Sequence, residues 1–395
     1  MYIADKLESV QLPPVYIRDN KECYLDPYRK RLIQITPEET VRQKVLNFYE
    51  TKLNVPRDMI LVEASMTYYT QAVVDRADII IHEPVDAYLM KPLAVIECKN
   101  ESIALTDKVV DQAIKYCDYI GAIYIIVTNG IEIIIAKYNE EKNQYEWLDK
   151  LLTYSEMSNL EGEKITAANN NARMSLVELS ENERLVEYNE NNLHWIFGLD
   201  TPTENRSFIV NFYECLRDSE HLLPKKTTAL FELLQDLGVR YMDYSNAGGG
   251  HYEGYYRSFL VKDLDGEIQI LSVSLFGTEP NFRGERRNSY ASLVVAIDKG
   301  KISHNILQYN IDRFLNKKAD VFSFEHNGQI SARKSEDLKT FVSKYDVSWL
   351  TNDGKIALGE INHNKLFYLD NEEESRFIYN LLEYALLREK FKKST

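Results

Sequence analysis

The chain has 395 residues, 44% of them hydrophobic and 27% charged, with a formal net charge of −14. That length exceeds one typical core and points to two domains of ordinary globular composition. The acidic surplus excludes a protein that coats nucleic acid through bulk charge, although a local basic groove can sit on an acidic exterior.

In chain order, Thr36-Pro37-Glu38-Glu39 reads as a helix start, with Thr as N-cap, Pro at the first helical position and Glu at the third. Val41, Val45, Phe48 and Tyr49 then recur at helical spacing, and Asn54-Val55-Pro56 ends the run. Strands are predicted at Met59–Ala64, Ala77–Ile81 and Leu93–Cys98, then a helix over Thr106–Ile120. The strand Ala122–Thr128 is apolar on both faces, as a central strand should be. Asn129-Gly130 is a two-residue hairpin signal leading into Ile131–Tyr138. Residues 1–140 therefore read as one α/β domain with a mixed sheet flanked by helices.

Residues 141–191 turn polar and read as a helical connector. Residues 192–395 read as an α+β domain with an antiparallel sheet. Helices are expected there at Glu204–Asp218, Lys226–Leu237 and Asn371–Lys392. Turn signals fall at Asp263–Gly266, Asp298–Gly300, His326–Gly328 and Asn352–Gly354, between alternating strands. No internal repeat is visible. No run of about 18 apolar residues is present, so no membrane helix is expected. The N-terminus lacks a leader pattern. Cys23, Cys98, Cys117 and Cys215 show neither CxxC nor zinc spacing, so a reduced, cytoplasmic protein is expected.

The chemistry concentrates in three pieces. Asp78 stands at the mouth of the apolar strand Ile79-Ile80-Ile81, and Glu97-Cys98-Lys99 ends the strand Ala94-Val95-Ile96. Side chains alternate along a strand, so Glu97 and Lys99 share a face while Cys98 points away. Two carboxylates and an ammonium around one point suit Mg²⁺-dependent phosphodiester hydrolysis. The ion takes one or two carboxylates plus waters and phosphate oxygens and activates water. Asp78 and Glu97 are the expected ligands, with the Cys98 carbonyl as a main-chain ligand, and Mn²⁺ is expected to substitute. Lys99 is suited to place the attacking water. The structural alternative is a solvated strand end for Asp78 and a surface ion pair for Glu97 and Lys99. It is disfavoured because acids at the ends of central strands cost stability without compensation.

These residues resemble the PD-(D/E)xK nuclease signature. Thr36–Gln43, Arg76-Ala77-Asp78, Ile96–Lys99, Gln112-Ala113-Ile114-Lys115-Tyr116 and Thr128-Asn129-Gly130 together resemble the N-terminal nuclease domain of type I restriction enzyme R subunits. The likeness runs over about Asp26–Tyr138 and is greatest to small, free-standing relatives. It implies that Asp78, Glu97 and Lys99 form the catalytic core of a DNA endonuclease in restriction. It also implies that Gln112 and Tyr116, on one helical face, lie beside it to contact DNA or orient its groups. Glu39 is implied as a further metal-site acid. It competes with a capping box in which Glu39 would reach back to the Thr36 amide, and Glu38 is its rival. The chain holds no GxxxxGK[ST] loop, so no ATP-driven motor is expected.

In the second domain, Asn246–Gly250 followed by aromatic residues reads as a bulged or wide hairpin. Arg283, Arg286 and Arg287 form a basic turn that could grip a phosphate backbone. This domain is expected to bind substrate, to sense or to dimerise; a homodimer would supply two sites for a double-strand break. The competing readings of the whole are an RNA-cleaving nuclease and a non-catalytic binding protein on a nuclease fold.

Overall fold

The computed structural model describes residues 1–65, 76–85, 90–158, 173–192, 194–245, 251–282, 284–299, 302–331, 333–346 and 349–394. The chain divides into two compact units, Met1–Asn171 and Ala172–Thr395.

The first unit opens with helix α1 (Ala4–Glu8) and a meander of β1 (Val15–Arg18), β2 (Lys21–Asp26) and β3 (Arg31–Gln34). No periodicity in the sequence predicts this meander. Asp19 and Asn20 both take positive φ in the β1–β2 turn, which two-residue hairpins demand. Helix α2 (Pro37–Thr51) follows, starting where the capping signal predicts. A six-stranded sheet comes next, with β4 (Ile60–Ser65), β5 (Arg76–Pro84), β6 (Met90–Cys98), β7 (Tyr124–Thr128), β8 (Ile133–Asn139) and β9 (Gln144–Leu148) in that spatial order. Only β6 and β7 run parallel, because helix α3 (Asp107–Ile120) carries the chain back between them. Gly121 closes α3 at φ 72°, a left-handed cap that favours glycine.

The sheet is a filling between two helices. Val41, Val45 and Phe48 of α2 pack with Ile79, Ile81, Ala94, Ile96 and Cys98. Val110, Ala113 and Tyr116 of α3 pack with Ile80, Val95, Ile125 and Val127 on the opposite side. Alternation along β6 thus sends Cys98 toward α2. The β7–β8 connection is a four-residue loop, since Thr128 pairs with Ile133. The Asn129 side chain accepts from the amides of Ile131 and Glu132 and so folds a longer turn than Asn-Gly alone predicts. Helix α4 (Tyr154–Ser158) follows β9.

The second unit is an α+β body. Helices α5 (Asn182–Asn191) and α6 (Thr203–Arg217) precede β10 (Phe231–Ser245), β11 (His251–Asp263), β12 (Ile268–Gly277) and the short hairpin β13 (Asn281–Phe282) and β14 (Glu285–Arg286). Then come β15 (Ala291–Lys299), β16 (Ile302–Asn310), α7 (Ile311–Phe314), β17 (Leu315–Lys318), β18 (Val321–His326), α8 (Ser335–Ser343), β19 (Ile356–Asn362) and α9 (Glu372–Lys393). The sheets are β10-β11-β12-β15-β16 and β17-β18-β19, antiparallel throughout. Phe208 and Phe212 of α6 and Phe377 and Leu381 of α9 fill one core with both sheets.

The helix expected at Lys226–Leu237 is a correction: these residues lead into and begin strand β10. Register shifts between Leu233 and Gln235 and between Asp236 and Gly238 insert extra residues, so the apolar spacing imitates a helix while the backbone stays in the ladder. Residues 141–191 are split: β9 completes the first sheet, and α5 lies in the second unit. The glycine-rich residues 246–250 lie outside the described residues; β10 and β11 pair as far as Ser245 and His251 on either side.

Candidate active site

Three acids fall side by side on neighbouring strands. The β4–β5 register pairs Val62 with Ile79 and Ala64 with Ala77, which sets Glu63 opposite Asp78. The β5–β6 register ends at Ile79 and Ile96, and one more step sets Asp78 opposite Glu97. There the sheet opens. β6 stays paired with β7 as far as Cys98 and Thr128, and the Cys98 amide donates 2.7 Å to Asp78 Oδ2 instead of to β5. A carboxylate thus replaces a ladder carbonyl where the strands part, so the amide stays satisfied.

Glu97 is 3% exposed. Its Oε1 accepts from Lys99 Nζ at 2.6 Å and from Gln112 Nε2 at 2.8 Å. Gln112 Nε2 also lies 3.2 Å from the Tyr116 hydroxyl. Gln112 and Tyr116 share the inner face of α3, and Tyr116 packs on the sheet while its hydroxyl meets Gln112. The other oxygen, Glu97 Oε2, is buried with no hydrogen-bond partner among the described residues. Burial, and then the Asp78 charge, push Glu97 up to about 7 against the pull of Lys99. Burial opposes the charge on Lys99, but its bond to Glu97 raises it overall.

Arg42, which sequence reasoning missed, is the hub. It donates to Asp78 Oδ1 at 2.6 Å, to Glu63 Oε1 at 2.8 Å and to Glu39 Oε2 at 2.5 Å. Glu38 stands 3.5 Å away at the exposed margin. Burial disfavours the guanidinium charge, yet Asp78, Glu39 and Glu63 hold it firmly protonated. Glu63 reaches Arg42 from β4 with φ 53°, a left-handed conformation that costs a residue of this kind about 1–2 kcal/mol. The motif around α2 contains Arg42 in plain view, but nothing in its spacing shows three acids converging on it.

Glu39 does not reach back to the Thr36 amide as a capping box would have it; the helix start is capped by Thr36 alone and the carboxylate turns into the site. The Glu39 amide donates 3.1 Å to the Thr36 hydroxyl, so the helix is capped. Its carboxylate is buried inside the site, held by Arg29, Gln43 and Arg42. The basic turn lies in the second unit. Arg286 Nη2 there donates to both carboxylate oxygens of Asp200 at 2.7 and 2.8 Å, Arg287 is exposed, and Arg283 lies outside the described residues.

Two carboxylates and an orphaned buried oxygen suit a hard cation. No cluster of three or more His, Cys, Asp or Glu side chains among the described residues forms a metal cage. Two is the number Mg²⁺ uses when water and phosphate supply its remaining oxygens.

Acids and a lysine thus gather at the opening of a mixed, helix-flanked sheet in an α/β domain. Residues 37–151 match the family described as type I restriction enzyme R protein N terminus. The match associates this segment with restriction enzymes. No curated protein and no solved structure matches the chain. Among the described residues no helix is long and apolar enough to cross a membrane.

Proposed function

We propose that the first unit is a Mg²⁺-dependent endonuclease of the PD-(D/E)xK type, hydrolysing phosphodiester bonds of DNA in restriction of foreign DNA in the cytoplasm. The observation that carries the reading is Glu97 Oε2, a buried carboxylate oxygen without a partner beside Asp78 and Lys99. A buried acceptor left without a partner costs about 1–3 kcal/mol, and a site that binds a cation puts that cost to use.

Asp78 and Glu97, with the main-chain carbonyl of Cys98, would hold Mg²⁺ or Mn²⁺. When bound, the ion supplies Lewis-acid activation of water and neutralises charge on the phosphate. Lys99 Nζ, now on Glu97 Oε1, orients the attacking water and balances the charge of the phosphorane. Water adds to phosphorus, a P–O ester bond breaks, and the departing oxygen takes up a proton. Gln112 keeps Glu97 Oε1 engaged, which turns Oε2 toward the reaction, and Tyr116 holds Gln112. Glu39 enters as the acid behind Arg42. Arg283, Arg286 and Arg287 are proposed contacts to the DNA backbone, with Asp200 competing for Arg286. The reaction uses no ATP, and a homodimer would deliver the two cuts of a double-strand break.

The test is cleavage of supercoiled plasmid, and of RNA in parallel, in Mg²⁺ and in EDTA. It compares the natural protein with Asp78→Ala and Lys99→Ala. Mg²⁺-dependent nicking by the natural protein alone supports the proposal. Equal behaviour of all three proteins contradicts it, and cleavage of RNA but not DNA reassigns the substrate.

A further inference from the structure

The matched segment begins at residue 37, yet the charges behind Asp78 reach back into the N-terminal meander. Asp26, fully buried at the end of β2, accepts from the amides of Tyr28 and Arg29 at 2.8 and 2.6 Å. Its other oxygen accepts from Arg29 Nε at 2.8 Å and Gln43 Nε2 at 2.5 Å. Arg29, pinned in this way, donates to Glu39 Oε1. Glu39 Oε2 accepts from Arg42 Nη1, Arg42 Nη2 donates to Asp78 Oδ1, and Asp78 Oδ2 accepts the Cys98 amide. The order is acid, base, acid, base, acid, and no side chain in it is more than 13% exposed. Solvent screening is weak at such burial, so each bond constrains the next.

We propose that Arg29 is a positioning residue of the candidate site: through Glu39 and Arg42 it fixes the orientation of Asp78, which makes the N-terminal meander a working part of the catalytic unit. This inference rests on the nuclease reading for its consequence, although the relay itself is a matter of structure. Without Arg29, Glu39 Oε1 keeps only Gln43. Arg42 is then drawn toward Glu39, and its hold on Asp78 loosens.

The chain has four cysteines, so selective ¹⁵N-cysteine labelling reports the Cys98 amide, the end of the relay, among only a few signals. Cys98→Ala assigns it. Arg29→Met in the metal-free protein should move the Cys98 signal and leave Cys117 and Cys215 in place. Arg29→Lys, which keeps the charge but not the fork, should move it less. Glu39→Gln should move it too, and serves if Arg29→Met does not fold. Cleavage at saturating Mg²⁺ should fall about 10- to 100-fold in Arg29→Met, as for groups that orient metal ligands, with KM for DNA unchanged. A Cys98 signal that stays put in folded Arg29→Met overturns the inference, as does one that moves together with Cys117 and Cys215. A natural protein that cleaves nothing refutes the nuclease reading alone, because the amide signal still judges the relay.

Discussion

Replacing Arg42 with Met leaves Glu39, Glu63 and Asp78 without their common cation. The cost follows from what each acid keeps. Glu63 and Glu38, with 29% and 45% of their side chains exposed, relax into solvent and contribute well under about 1 kcal/mol. Glu39 and Asp78 are buried, but Glu39 retains Arg29 and Gln43 and Asp78 retains the Cys98 amide. Breaking a buried ion pair from one side costs about 3–5 kcal/mol, and the retained partners place Arg42→Met near 3 kcal/mol. For a unit of this size that is a fall in Tm of roughly 6–12 °C. Thermal unfolding in EDTA measures it, and Glu39→Gln combined with Arg42→Met should recover part of the loss, since the two side chains touch. A loss below about 1 kcal/mol, or a double variant no more stable than Arg42→Met, refutes the hub.

Other consequences can be measured directly. Lys99→Met should lower cleavage by roughly 10²-fold or more, the scale for a lost transition-state cation or donor. Gln112→Ala should lower cleavage by about tenfold, and Tyr116→Phe should do less, because Lys99 still holds Glu97 Oε1. Burial depresses His326 in the second unit to about 3, helped by Arg388. Below its ordinary value of about 6.5 the unfolded chain therefore binds a proton that the folded one refuses. Stability that is full above that pH is then lost as pH falls, by about 2 kcal/mol at pH 5. Denaturant midpoints at pH 7.5 and pH 5 should show the loss, and His326→Phe should shrink it.

Much of this site could be read in the sequence because its parts obey local rules. Strand alternation places Glu97 and Lys99 on one face, and helical spacing joins Gln112 to Tyr116. The capping pattern locates the start of α2, and the structure keeps it. What could not be read depends on contacts between distant segments. Arg42 meets Asp78 across 36 positions, Glu63 owes its reach to a left-handed φ, and Arg29 joins the site through a meander that no periodicity announced. In the second unit the spacing of Leu230, Phe231, Leu233 and Leu237 suggests a helix, because a strand with two bulges carries the same pattern.

The account stands most directly on where a divalent cation goes. A crystal of the natural protein soaked in Mn²⁺, with anomalous data, should show a peak touching Asp78 and Glu97 Oε2, lost in Glu97→Gln. Saturating Mn²⁺ that leaves this position without a peak, or a peak unchanged in Glu97→Gln, would contradict the central claim.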